Sequence, residues 1–231
     1  MNRWPLHQSA ILALLWAGSA QAADAVHPEV VELFQSQGCS TCPPADANVM
    51  ALADRPDILT LSFAVTYWDQ LGWKDTFASP VFTARQWDYA HGLGHSGVFT
   101  PQVVVNGRRD GVGTDAAQLR ALLVAGDRGA GGPALVVRGG RVMVGAGKAP
   151  VGGADVWLTR YDPRIVMVPI QRGENAGRTL PHRNVVRALV RLGRWDGAAK
   201  AFALPPTSPG LLNAILVQAG RGGPILAAAR G

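Results

Sequence analysis

The stretch Val30-Val31-Glu32-Leu33-Phe34-Gln35-Ser36-Gln37-Gly38-Cys39-Ser40-Thr41-Cys42-Pro43-Pro44 decides the fold. Residues 30–34 are apolar and β-prone around a single acid, which reads as a central strand. Residues 35–38 form a polar loop, and two cysteines then stand in C-x-x-C spacing directly before two prolines. Proline suits the first turn of a helix. Residues 45–53 carry helix formers, with Val49, Met50, Leu52 and Ala53 able to face a core.

Working outward, residues 58–65 form a second apolar strand and residues 79–91 a second helix. Thr100-Pro101 introduces a third strand over residues 102–105. Asn106-Gly107 is a strong hairpin signal, pairing that strand with Arg108-Arg109-Asp110. A helix over residues 115–124 closes the unit. Strand, C-x-x-C, helix, strand, helix, hairpin, helix is the order of a thioredoxin-like domain, as a C-x-x-C near a βαβ pattern suggests.

The same pair carries the chemistry. These are the chain's only cysteines, and closing so short a loop removes little unfolded-state entropy, so the bond makes more sense as a reactive element than as a brace. A cysteine where a strand runs into a helix faces the positive end of the helix dipole, which favours thiolate. Cys39 comes first and is expected to be the more exposed, hence the nucleophile. Cys42 then resolves the mixed disulfide by attacking Cys39. Pro43 and Pro44 bias the preceding residue away from helical dihedrals, so a helix starting at Pro43 would set Cys42 nearer the dipole.

Glu32 lies inside the apolar strand. It is either a carboxylate at a strand edge or a buried acid able to take the proton of Cys42. Pro101 opens a strand, and a cis bond is the common reason for such a turn. In the cis reading, the backbone preceding Pro101, at Thr100, is free to pair with a substrate chain. The segment 67–75 holds Trp68 and Trp73, which either wall a substrate groove beside the dithiol or fill core, with Asp69 capping a turn. His91 and His95 stand four apart, but Gly92, Gly94 and Gly97 disfavour a shared helix, and the two read as surface residues rather than metal ligands.

At 231 residues the chain can bury a sizeable core. Arg3, an apolar run over residues 11–16 and the small-residue pattern Ala20-Gln21-Ala22 form a secretory leader over residues 1–23. That run is too short to span a bilayer, so export to a periplasmic or extracellular compartment is expected, with no membrane attachment after cleavage. In such a compartment a disulfide persists. The net charge of +6 is spread along the chain, which reads as a solvated basic surface rather than a nucleic-acid footprint.

Beyond Gly129-Ala130-Gly131-Gly132, a linker-like break, the sequence reads as hairpins: residues 134–138 with 141–145, 155–160 with 164–171, and 211–218 with 224–229. Residues 185–192 fit a helix or a strand, and the surrounding hairpins favour a strand. Gly173-Glu174-Asn175-Ala176-Gly177 reads as a turn without chemistry. The expected architecture is α/β: a thioredoxin-like domain over residues 24–128, then an antiparallel β-rich, sandwich-like domain over residues 129–231.

Residues 32–46, Tyr67-Trp68-Asp69, Gly72-Trp73-Lys74-Asp75, Arg85-Gln86, Thr100-Pro101-Gln102, residues 173–179 and Arg183-Asn184-Val185-Val186-Arg187 together resemble the secreted thioredoxin-like family known as domain of unknown function 1223. The resemblance implies a thioredoxin-like fold with a β-rich C-terminal part, and no established substrate. The wider thioredoxin-like resemblance implies roles for Cys39, Cys42, Pro101 and, by position, Glu32. The leading expectation is a thiol–disulfide oxidoreductase without a cofactor, acting on protein or small-thiol disulfides with an unidentified redox partner. Two alternatives use the same cysteines: copper delivery, and a binding module with a structural disulfide.

Overall fold

In the computed structural model, which describes residues 23–129 and 131–231, the opening apolar run is β1 (Glu29–Gln35), with all seven residues buried. A strand buried on both faces needs cover on both. α1 (Cys42–Met50) leaves the C-x-x-C, and β2 (Ile58–Ala64) returns parallel to β1, with Glu29 opposite Ile58. α2 (Pro80–Leu93) follows, then the hairpin of β3 (Gln102–Val105) and β4 (Arg109–Gly111), then α3 (Ala116–Gly126). Asn106 and Gly107 both take positive φ, 49° and 62°, as the tight turn between twisted strands requires. β3 runs antiparallel to β1, so these strands lie in the order β2-β1-β3-β4.

Side-chain parity sorts the core, because successive residues of a strand face opposite ways. Val31 and Leu33 meet Ala45 and Val49 of α1 and Leu119 of α3. Val30 and Phe34 meet Phe63, and the Phe82 and Tyr89 side chains of α2. The two faces of β1 are thus covered by different helices.

The second half supplies β5 (Leu135–Arg138), β6 (Arg141–Val144), β7 (Ala154–Asp162), β8 (Val166–Pro169), β9 (Thr179–His182), β10 (Val185–Trp195), β11 (Lys200–Ala203), β12 (Leu212–Ala219) and β13 (Ile225–Arg230). The ambiguous run at 185–192 is a strand, as its alternation favours. β7, β10, β12 and β13 extend the first half's sheet into eight strands, ordered β13-β12-β7-β10-β2-β1-β3-β4. β10 joins parallel to β2, where the Ser62 N–H donates to the Asn184 carbonyl (3.0 Å) and the Asn184 amide to Thr60 Oγ1 (2.7 Å). The result is a mixed α/β fold with one large, mostly antiparallel sheet and few helices. A separate three-stranded sheet, β11-β6-β5, packs on it through Val142, Val144, Trp195 and Phe202.

Two expectations are corrected here. The residues expected to form a free-standing antiparallel sheet after residue 128 place their longest strands in the first half's sheet, since β2 has an open edge that β10 fills. The hairpin expected between residues 155–160 and 164–171 does not form. β7 pairs instead with β10 and β12, and β8 turns away to pair with β9. Asp162 accepts from the Arg164 N–H (3.1 Å), capping a turn at Pro163 that sends the chain out of the sheet. The leader expected at residues 1–23 lies outside the described residues but for its last. No helix among the described residues is long and apolar enough to cross a membrane.

Candidate functional site

Cys39 and Cys42 are joined by a disulfide, with their Cα atoms 5.4 Å apart. The loop that presents them is built by local hydrogen bonds. Ser36 Oγ accepts from Gly38 N (3.0 Å), the Ser36 carbonyl from Cys39 N (3.0 Å), and the Cys39 carbonyl from Cys42 N (3.2 Å). Helix α1 begins at Cys42 itself, one residue earlier than the prolines suggest. Its partner Cys39 stays in the loop, with Sγ 3.4 Å from Thr41 Oγ1.

Gln37 anchors the loop from below. It is fully buried. Its N–H donates to Asp75 Oδ2 (2.7 Å), its Nε2 to Thr76 Oγ1 (3.0 Å), and its Oε1 accepts from Trp73 Nε1 (2.9 Å). Trp68 packs on Gly38, where an added Cβ would lie 3.4 Å from the Trp68 Cβ. Its indole N–H donates to Thr100 Oγ1 (2.8 Å). The Thr100–Pro101 peptide is cis. The structure therefore brings Cys39, Cys42, Trp68, Trp73 and Thr100 together around one loop, with Pro101 adjoining. Both tryptophans are half-buried and hydrogen-bonded to the site, so they hold the loop's walls rather than only filling core.

Glu32 is not among them. Parity puts it on the face of Val30 and Phe34, towards α2, while α1 packs its Ala45 and Val49 over the face of Val31 and Leu33. Its carboxylate accepts from Arg85 Nε (2.7 Å) and Nη2 (3.1 Å) and from the Tyr89 hydroxyl, and Arg85 Nη1 goes on to Gln218 Oε1 (3.1 Å). Of the two alternatives, the buried acid is the one found, but its partner is a guanidinium, and a role in deprotonating Cys42 does not fit this placement. The exposure expected for Cys39 also fails: Cys39 is 0% and Cys42 1% exposed, because the loop is covered from the second half of the chain.

That cover comes from residues 173–177, the turn joining β8 to β9. Asn175 donates its amide to both the Gln37 and Cys39 carbonyls (2.9 Å each). Glu174 Oε2 accepts from Ser40 Oγ (2.6 Å) and Ser40 N (3.2 Å), and these contacts hold its carboxyl below the usual glutamate range. Beneath the turn, Val168, Ile170 and Leu180 pack against Trp73 and Phe77. The sequence reading found no chemistry in this turn. From the residues alone the signal is an acid and an amide flanked by glycines, which looks like any turn; residues 173–179 stand out only as part of the family resemblance.

Three buried titratable groups complete the surroundings. Burial, and then the charge of Asp75, push Asp46 well above the carboxylate range. Burial pushes Asp75 up to about 6, against the pull of the Gln37 and Phe77 N–H groups. Burial pushes His182 down to about 4. His91 sits in the last turn of α2, which Gly94 terminates in left-handed conformation, while His95 lies beyond it and pairs with Asp110 (2.9 Å). The two histidines share no helix.

The model of a family described as a protein of unknown function, DUF1223, matches residues 30–218, from β1 to β12, and so includes every residue of this site. The chain belongs to the DUF1223 family. This DUF1223 chain is similar to a crystal structure of an Agrobacterium tumefaciens protein, at 33% identity and a TM-score of 0.72, covering 91% of this chain and 95% of that one. It also shares its fold with HBP35 of Porphyromonas gingivalis, at 15% identity and a TM-score of 0.57, covering 91% of this chain and 76% of that one. No protein with a curated description matches the DUF1223 chain.

Proposed function

We propose that this protein is an exported thiol–disulfide oxidoreductase of thioredoxin-like architecture, working on protein or small-thiol disulfides. The observation that carries the reading is the Cys39–Cys42 bond where β1 runs into α1, on a sheet ordered β2-β1-β3-β4 with α1 and α3 on one face and α2 on the other. The N-terminal end of a helix stabilises thiolate, and a disulfide set there is chemically poised.

Cys39, in the loop beside exposed Ser40 and Thr41, is the sulfur attacked by an incoming thiolate once the turn at residues 173–177 is displaced from over it. Cys42, at the first turn of α1 and backed by the core, is the resolving thiol. Trp68, Trp73, Thr100 and Pro101 form the walls against which a substrate chain would lie. The leader at residues 1–23 supports an oxidising compartment, where an unidentified partner resets the pair.

The complete burial of both cysteines favours a second reading, a binding module with a structural disulfide. One measurement separates the two: equilibration of the purified mature protein against glutathione. A potential near or above about −200 mV is expected for a working redox couple. A value below about −300 mV, with Cys42→Ser trapping no mixed disulfides, would overturn the oxidoreductase reading.

A further inference from the structure

The site contains a carboxyl and an imidazole that no contact described so far employs. Asp46 lies one turn after Cys42 on α1, and residues four apart on a helix share a face with Cβ atoms about 5–6 Å apart. It is 5% exposed. His182, the last residue of β9, is 1% exposed, and neither Nδ1 nor Nε2 has a hydrogen-bond partner. Its Nδ1 stands 3.9 Å from Asp46 Oδ1, too far for a hydrogen bond, and the edge of its ring faces Phe77. An imidazole with both nitrogens buried and unpartnered is uncommon and calls for an explanation.

We propose that Asp46 exchanges a proton with Cys42 Sγ as the disulfide opens and closes, and that His182 donates a hydrogen bond to the Asp46 carboxylate whenever that proton is gone. This rests on the oxidoreductase reading above. On opening, an incoming thiolate attacks Cys39 Sγ. The new sulfur–sulfur bond forms at Cys39, the Cys39–Cys42 bond breaks, and the electron pair leaves on Cys42. Cys42 takes the proton of the neutral Asp46 carboxyl, so no bare thiolate is left in the core. The ionised carboxylate then receives the Nδ1–H of His182, closing the 3.9 Å gap. Closing runs in reverse: Cys42 returns its proton to Asp46, attacks Cys39 Sγ, and the substrate sulfur leaves with the electron pair.

The environment suits this cycle. In the disulfide form burial favours the protonated carboxyl of Asp46 and the uncharged imidazole of His182, the pairing that the opening step starts from. A carboxyl whose neutral form is favoured by burial gives up its proton to a neighbouring thiolate less readily than a free acid and takes it back more readily, which suits exchange in both directions. The charged group acting on the pair is Asp75, whose charge raises Asp46 and which is itself raised by Asp69; beyond the Phe77 ring that borders His182, the Arg187 guanidinium of β10 stands 4.8 Å from that ring's centroid. His182 is a positioning residue: it acts only through Asp46.

The test is single-turnover closing of the reduced full-length mature protein with the chromogenic disulfide DTNB. Attack by Cys39 releases one thionitrobenzoate, and attack by Cys42 releases the second. Asp46→Asn is expected to leave the first release unchanged and to slow the second about 100-fold at neutral pH. The deficit should vanish as the pH passes the thiol's own value, about 8.5. His182→Gln is expected to slow the same step about tenfold, with the same recovery. A second release within twofold of wild type, or a deficit equal at every pH, would overturn the assignment. Should Asp46→Asn fail to fold, the His182 imidazole is titrated by NMR in oxidised and reduced wild-type protein. A titration that moves on reduction supports the pair, and one that does not overturns it. Reduced wild-type protein that releases no thionitrobenzoate at all would instead sink the oxidoreductase reading, a result distinct from either outcome for Asp46.

Discussion

The side-chain amide of Asn175 donates to the Cys39 carbonyl at 2.9 Å, across 136 residues of chain. With its second bond, to the Gln37 carbonyl, it ties the turn between β8 and β9 to the loop that holds the disulfide. The second half of the chain is therefore built into the site.

Asn175→Ala should destabilise the protein by roughly 1–3 kcal/mol, because the Gln37 carbonyl loses its donor and the Cys39 carbonyl keeps only that of Cys42 N. Urea unfolding of oxidised protein reads the loss. The disulfide should also become more accessible, so the rate of reduction by dithiothreitol, measured well below the unfolding midpoint, should rise.

Glu174→Ala should separate access from stability. Its contacts with Ser40 are at the surface, so the thermal midpoint should stay within about 2 °C of wild type, as for a small surface change. Faster reduction of the disulfide with an unchanged midpoint would identify Glu174 as a latch. An unchanged rate would show that the turn covers the sulfurs without it.

Glu32→Gln should cost about 3–5 kcal/mol, the penalty for leaving the buried Arg85 guanidinium without its counter-charge. Corrected for the folded fraction, thiol exchange should match wild type, since the Glu32 carboxylate is engaged by Arg85 and Tyr89 of α2 while α1 packs on the opposite side of β1. A selective loss of exchange in fully folded protein would restore the catalytic role that the sequence suggested.

Stability should carry a signature from Glu29. Burial, then the neighbouring Asp127, raises its carboxyl to about 7 in the folded state, against an ordinary value of 4.5. A raised carboxyl contributes stability that is fully present below pH 4.5 and lost as the pH climbs through 7. Denaturant midpoints should thus fall more between pH 5 and 8 for wild type than for Glu29→Gln. Parallel curves for the two proteins would refute this.

Much of this was open to sequence reading, and the failures have common causes. The strand at residues 30–34, the hairpin at Asn106-Gly107 and the strand at residues 185–192 follow from periodicity and turn chemistry, which act over a few residues. The tie between Gly38, Trp68 and Thr100 was foreshadowed by an aromatic segment next to a C-x-x-C. Glu32 was misplaced because parity says which residues share a face of β1 but not which helix covers it. The turn at residues 173–177 and the imidazole of His182 were missed because their partners lie more than a hundred residues away. The pairing of residues 155–160 with 164–171 failed for a different reason: the strand at 154–162 takes its partners from β10 and β12, later in the chain, which leaves β8 to pair with β9 just after it.

β10 meets the open side of β2 where Val185 lies opposite Ser62, and the Asn184–Thr60 contact beside that pair spans 124 residues. During synthesis the earlier strand is finished long before its neighbour exists. Until residue 185 emerges, β2 presents a row of unpaired amides and carbonyls that any extended segment can occupy. A chain held unfolded until it is whole avoids that interval, because both strands are then present when folding begins.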